Sequence, residues 1–192
     1  MAEKKVILLL AGTASLDSGD AVKKFKKKAV AVTNYTAGDV AAEAMRVAGA
    51  ATVAPDGIAA AFEAGTALCV AQLGDCDAAA LDAAMAKALE AADRRTLVVL
   101  AAKNTLAFYG LGVNTKLGAI DRPALAKDVV PTICHIADLP LADDTTGAVL
   151  YQVLKETNLK LNEFIKLKEA LARMEAALQR DNREPWDKHD CA

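Results

Sequence analysis

Polar side chains that could bind a small ligand or a metal ion follow several of the predicted β-strands. They are Thr13, Asn34, Asp56, Asp75, Asp77, Lys103 and Asn104. Ligands of open α/β sheets bind in the crevice outside the carboxyl ends of the strands, where these side chains would meet. Carboxylates and an ammonium group there could hold a metal ion or a polar metabolite, or transfer protons. Asp and Asn are also common turn residues, and the unspecific spacing favours that interpretation.

The histidines and cysteines do not form a metal-binding or disulfide motif. The two histidines are His135, in a predicted helix, and His189, in a polar tail. The four cysteines contain no Cys-x-x-Cys pair: Cys69, Cys76, Cys134 and Cys191. Cys69 and Cys134 lie in apolar runs typical of buried thiols. We therefore predict no metal site and no cofactor, and a reducing, cytoplasmic compartment.

Size and charge favour one ordinary α/β domain. The chain has 192 residues, of which 54% are hydrophobic, and its net charge is −2. That charge gives no basic field for nucleic acid, and no segment has the roughly 18 apolar residues that cross a membrane. The apolar run over residues 6–10 is too short for a typical signal peptide and predicts a first strand. We expect neither nucleic acid nor membrane as a partner.

Short apolar runs and alanine-rich runs alternate along the chain. The first kind predicts buried strands and the second predicts helices. We predict strands over 6–10, 29–33, 51–54, 67–73 and 96–101, a turn over 34–36, and helices over 38–47 (with Thr36 as its cap), 58–63 and 78–93. Alternation with short connections predicts a three-layer α/β/α sandwich with a mostly parallel sheet.

The stretch over residues 95–150 carries several recognisable pieces in a fixed order. The strand over 96–101 leads into the hairpin-like segment Phe108-Tyr-Gly-Leu-Gly-Val113. A helix is predicted to start near Lys127 or Asp128 and to end at Asp138-Leu-Pro. We expect Pro131 in the first turn of that helix, where its missing N–H costs little.

The order and spacing of these pieces resemble the alkaline-phosphatase superfamily of phosphatases, sulfatases, cofactor-independent phosphoglycerate mutases and phosphodiesterases. The matching pieces are Phe108 to Val113, Ala124 to Ile133, Leu139-Pro-Leu141 and Gly147 to Leu150. The resemblance covers the last third of the fold well and the rest loosely. It implies an alkaline-phosphatase-like core over residues 1–147.

In that family a two-metal centre of about three Asp and three His activates the nucleophile and neutralises the transferred group. The resemblance implies an Asp at the end of the first strand, where this chain has Ala11. It implies Asp-His after the strand over 96–101, where this chain has Ala102 and Lys103. The histidine expected after Asp75 or Asp77 is absent, and an ammonium at position 103 would repel a metal ion. The chain therefore resembles a scaffold that has lost its metal ligands.

Residues 148–180 are predicted to form a long helix, and residues 181–192 a polar tail. An apolar seam recurs along that helix at three- and four-residue spacing: Phe164, Leu167, Leu171, Met174 and Leu178. The helix either packs on its own domain or pairs with a partner protein or a second copy of the chain.

Taken together, these features predict a pseudoenzyme, a non-catalytic domain that acts as a binding or oligomerisation module. The alternative is a phosphoryl- or sulfuryl-transfer enzyme with a site remodelled around Asp75, Asp77 and Lys103.

Overall fold

A computed structural model of the chain describes residues 4–155, 164, 165 and 167–176. The strands of the described part are β1 (Lys5–Ala11), β2 (Val30–Val32), β3 (Tyr35–Thr36), β4 (Ala50–Thr52), β5 (Leu68–Gly74), β6 (Thr96–Ala102), β7 (Thr105–Gly110), β8 (Ala119–Ile120) and β9 (Ala124–Leu125). The helices are α1 (Asp20–Lys26), α2 (Val40–Ala44), α3 (Ile58–Glu63), α4 (Ala78–Ala91) and α5 (Ala126–Ala137), with 3-10 turns at Pro55–Gly57 and Tyr151–Val153. Residues 164, 165 and 167–176 are also helical, and we call them the C-terminal helix.

The central sheet has seven strands in the order β4-β5-β1-β6-β7-β2-β8. Strands β4, β5, β1 and β6 are mutually parallel, and β8 is parallel to β2. Strand β7 is antiparallel to both of its neighbours, β6 and β2. It must reverse because only Lys103 and Asn104 connect it to β6, and a two-residue loop joins antiparallel strands. The predicted mostly parallel sheet is confirmed.

Hydrophobic side chains cover both faces of the sheet. Val6 and Leu8 of β1 point to one face, where they join side chains of α2 and α5 in one cluster. Ile7 and Leu9 point to the other face, where they join side chains of α1, α3 and α4. All four are fully buried, as expected for a strand between two helical layers, because successive side chains alternate between faces. The layered α/β architecture is therefore as predicted.

Buried polar groups join α5 to the segment that follows it. The Asp128 carboxylate accepts hydrogen bonds of 2.9 Å from the backbone N–H groups of Leu125 and Ala148. The Thr132 hydroxyl donates to the Asp128 carbonyl at 2.6 Å and accepts from the Leu150 N–H at 2.9 Å. These bonds satisfy backbone donors at the start of α5 and fix the path of residues 148–150 across it.

The position of Pro131 differs from the prediction. The helix spans Ala126–Ala137, so its limits are as predicted, but Pro131 lies in its second turn rather than its first. A proline there leaves the carbonyl of Lys127 without its helical donor. Gly147 packs against that carbonyl so closely that a Cβ atom on it would lie 1.8 Å from the oxygen. The irregularity is therefore accommodated by a glycine from the following segment.

Two further predictions in the first half of the chain are wrong. Residues 34–36 do not form only a turn, because β3 pairs in parallel with β9 in a separate two-stranded sheet. Helix α2 is shorter than the predicted 38–47, and its cap is Asp39, whose carboxylate accepts from the Ala42 N–H at 3.0 Å, rather than Thr36. The helix begins at Val40 because the backbone of Asp39 is not helical, with φ −81° and ψ 83°.

The predicted long helix does not begin at Ala148. Residues 148–150 are not helical and are hydrogen-bonded to side chains of α5, Tyr151–Val153 form a 3-10 turn, and Leu150, Val153 and Leu154 are buried in the core. The first compact unit accordingly runs through Lys155 rather than ending at residue 147, and residues from Glu156 onward belong to a second unit. No helix in the described ranges is long and apolar enough to cross a membrane.

We expect Asp128→Asn to lower the free energy of unfolding by about 1–3 kcal/mol, because an amide NH2 would face one of the two backbone N–H groups that the carboxylate now satisfies. Urea denaturation followed by circular dichroism measures the change. Asp143→Asn is the matched control, because Asp143 is exposed. Equal stability of the two variants would show that the buried carboxylate does not hold residues 148–150.

Candidate functional site

The backbone of Gly12 joins the carboxyl ends of three central strands. Its N–H donates to the Gly74 carbonyl at 2.7 Å, and its carbonyl accepts from the Lys103 N–H at 2.8 Å. One residue earlier, Ala11 is paired in register with Gly74 on one side and with Ala102 on the other. Residues far apart in the sequence thus lie side by side at one edge of the sheet.

A cavity of about 330 Å³ opens at this edge. Gly12 lies between its two charged sides, which are formed by Asp75 after β5 and Lys103 after β6. The apolar parts of the wall include Leu10, Val40 and Ala101. The geometry is that of a ligand crevice in an open α/β sheet, with an apolar wall and a few polar groups.

The absence of a side chain at position 12 shapes this cavity. A Cβ atom on Gly12 would lie 1.9 Å from Oδ1 of Asp75, so the carboxylate occupies the space that any other residue would fill. No described residue forms a hydrogen bond or an ion pair with the side chains of Asp75 or Lys103. An unpaired anion and an unpaired cation therefore line the same cavity.

Five of the seven predicted crevice residues do not line this cavity: Thr13, Asn34, Asp56, Asp77 and Asn104. Asp77 caps α4, because its carboxylate accepts from the Ala80 N–H at 2.7 Å. The Asn104 amide holds the loop after β1, since Oδ1 accepts from the Ala14 N–H at 3.0 Å and Nδ2 donates to the Ala14 carbonyl at 2.9 Å. Asn34 is exposed, and its backbone carbonyl accepts a hydrogen bond of 2.9 Å from the Ala124 N–H, where β3 meets β9. The polar groups of Asp77, Asn104 and Asn34 thus serve structural roles.

The sequence prediction missed three polar residues that do line the cavity: Tyr35, Asp39 and Gln72. Burial raises the pKa of the Tyr35 phenol above its ordinary value, so that hydroxyl remains a hydrogen-bond donor at neutral pH. Asp39 has a detectable signal, because an acidic residue directly before an alanine-rich run is typical of a helix cap. Tyr35 has none, since its place depends on the pairing of β3 with the distant β9.

The side chains at this edge do not fit a two-metal centre. Ala11 and Ala102 have no ligand atom, and the Lys103 ammonium repels cations. In the part of the chain that the structure describes, no three His, Cys, Asp or Glu side chains come together as a metal site requires.

The buried thiols lie away from this cavity. Cys69 and Cys134 are buried as predicted, and burial raises the pKa of each thiol to about 11. Thiols with a pKa this high are almost fully protonated at neutral pH, which makes them poor nucleophiles.

The predicted apolar seam is exposed along the C-terminal helix. The exposed fractions are 64% for Phe164, 61% for Leu167, 58% for Leu171 and 62% for Met174. Leu178, the fifth predicted member, lies outside the described residues. Four large apolar side chains at three- and four-residue spacing form a continuous stripe, which marks an interaction surface more often than a solvated one.

Comparisons with known proteins give no family. No family model matches the sequence, and no curated protein or solved structure is significantly similar to the chain.

Proposed function

We propose that residues through Lys155 form a non-catalytic domain with an alkaline-phosphatase-like scaffold, and that the chain acts as a binding or oligomerisation module. The observation that carries the proposal is the donor set at the strand ends, where Ala11 and Ala102 meet Lys103. Metal-assisted ester hydrolysis needs anionic oxygens or imidazoles around its cations. These residues offer two methyl groups and a positive charge instead.

The pieces that carry the resemblance to that family also form one connected unit. The helix piece contributes Asp128 and Thr132, and these bind the backbone of the last piece at Ala148 and Leu150. Gly147 of that last piece lies against the Lys127 carbonyl. A shared packing unit explains why the pieces occur together, and this supports the proposal that the scaffold is retained without its catalytic residues.

The alternative, a remodelled enzyme that uses Asp75, Asp77 and Lys103, has less support. Asp77 is engaged as the cap of α4 and is not part of the cavity wall. The two remaining side chains provide one anion and one cation, Asp39 is engaged as the cap of α2, and the wall contains no Ser, Thr, Cys or His side chain. This set of groups is better suited to binding than to bond cleavage.

A second observation favours self-association through the C-terminal helix. Phe164 and Leu171 fall at a positions, and Leu167 and Met174 at d positions, of two consecutive heptads. In the sequence Glu163 falls at a g position and Lys168 at the following e position. In a parallel pair of helices, a g position of one helix lies beside the following e position of the other, so these opposite charges would attract. We therefore propose a second copy of this chain as the occupant of the stripe.

We expect no hydrolysis of p-nitrophenyl phosphate, p-nitrophenyl sulfate or bis(p-nitrophenyl) phosphate when zinc, magnesium or manganese is added, because the donor set cannot hold the ions. The measurement is the release of p-nitrophenol compared with a buffer blank. Metal-dependent turnover that is lost in Asp75→Ala but kept in the exposed-site control Asp143→Ala would contradict the non-catalytic assignment.

We expect the intact chain to be an oligomer and Leu171→Glu to convert it to a monomer, because a charge at an a position must be buried in the helix pair. Multi-angle light scattering of the eluting protein gives the mass of each species. Ala172→Glu introduces the same charge off the stripe and should leave the oligomer intact. A monomeric wild-type chain, or two variants that behave alike, would remove the self-association proposal.

A further inference from the structure

The cavity at the strand ends is lined by charges of both signs: Asp75 and Lys103, which are exposed, and Asp39, whose carboxylate caps α2. Asp75 and Lys103 lie on opposite sides of Gly12, and within the described ranges neither side chain forms an ion pair or a hydrogen bond. They are also not paired with each other. Two opposite charges that line one cavity and stay apart leave room for a ligand that carries the complementary charges.

The sheet determines the spacing between these two groups. Asp75 follows β5 and Lys103 follows β6, and both strands pair directly with β1, which lies between them. Neighbouring strands are about 4.8 Å apart, so the backbones that carry the two charges are roughly 10 Å apart. The Asp75 carboxylate lies over Gly12 at the end of the middle strand, about one strand spacing nearer to the Lys103 backbone, and the flexible Lys103 side chain can vary the distance of its ammonium from it. Both charges can therefore be reached by a molecule whose ammonium and carboxylate groups are close together.

The face of the sheet on which the charges lie is also defined. A Cβ on Gly12 would point at the Asp75 carboxylate, which places that carboxylate above the middle strand. Ala101, near the end of β6, packs in the same cluster as Val40 of α2, and both line the cavity together with Lys103 of the following turn. Leu10 and Tyr35 pack against the same cluster and also line the cavity. The charges are thus adjacent to an apolar and aromatic wall.

We propose that this cavity binds a small zwitterion with an apolar side chain, an α-amino acid or the equivalent end of a short peptide. The ligand's ammonium group donates to Asp75, its carboxylate accepts from Lys103, and its side chain lies on the wall formed by Leu10, Tyr35 and Val40. Gln72 adds a neutral amide at the same edge. This inference rests on the proposed binding role of the domain and gives that role a ligand class.

A ligand with only one of the two charges would bind more weakly. An anion alone, such as phosphate or sulfate, would meet Lys103 but would also face the Asp75 carboxylate, and like charges at short range repel. A metal ion would meet the carboxylates of Asp75 and Asp39 but would also face the Lys103 ammonium, which repels it. Because charges of both signs line the cavity, it should bind zwitterions more tightly than simple anions or cations.

The test is isothermal titration calorimetry on the full-length chain with the standard L-amino acids, each titrated singly. L-leucine is compared with 4-methylpentanoate, which lacks the ammonium group, and with 3-methylbutylamine, which lacks the carboxylate. We expect at least one apolar amino acid to bind, and loss of either charged group to weaken binding about tenfold or more. Inorganic phosphate and zinc chloride are titrated as single-charge probes and should bind more weakly than the amino acid.

Two variants test the residues themselves. Lys103→Gln should bind L-leucine no more tightly than it binds 3-methylbutylamine, which lacks the carboxylate. Asp75→Asn should bind L-leucine no more tightly than it binds 4-methylpentanoate, which lacks the ammonium group. Lys116→Gln and Asp143→Asn, which replace exposed residues outside the cavity wall, should bind as the wild type does. Far-UV circular dichroism checks that all four variants are folded.

The zwitterion proposal is overturned if no amino acid binds, if the single-charge analogues bind as tightly as L-leucine, or if Lys103→Gln and Asp75→Asn leave binding unchanged. Those results leave the non-catalytic assignment intact, because that assignment depends on the missing metal ligands. Metal-dependent ester hydrolysis would instead contradict the assignment and would leave the amino-acid titrations to be judged on their own outcome.

Discussion

The two backbone hydrogen bonds of Gly12 are the constraint on which the site depends. They tie the end of β1 to Gly74 at the end of β5 and to Lys103 after β6, so that residues 62 and 91 positions away in the sequence become neighbours of Gly12 at one edge. Only glycine fits at the centre, because the Asp75 carboxylate fills the space of a side chain. Everything that lines the cavity takes its position from this junction of three strands.

The surrounding structure holds that junction in place from two sides. The Asn104 amide binds both backbone groups of Ala14, so the β6–β7 loop that carries Lys103 is coupled to the loop after β1. On the other face, α5 packs under the sheet and carries the Asp128 and Thr132 bonds that hold residues 148–150. Some polar residues at the strand ends, such as Asn104, hold the loops in place, and others, such as Asp75 and Lys103, line the cavity.

Local pattern was sufficient to predict the buried strands and the longer helices. The apolar runs of β1 and β6, the exact limits of α3 and the end of α5 follow from periodicity and from Gly, Pro and Asp at their ends. The pairing of β3 with β9 and the place of Tyr35 in the cavity were not predictable, because they depend on contacts between residues far apart in sequence. Asp77 and Lys103 look alike as charged residues after strands, and only the geometry separates a helix cap from a cavity wall.

We propose that the lysine and two alanines at the strand ends, Lys103, Ala11 and Ala102, hold no divalent ion. The most direct measurement is the metal content of the purified full-length chain by inductively coupled plasma mass spectrometry, after dialysis against zinc, manganese and magnesium and removal of free ions. We expect no metal in stoichiometric amount. Two tightly held ions per chain, present in the wild type and lost in Asp75→Ala, would contradict the claim.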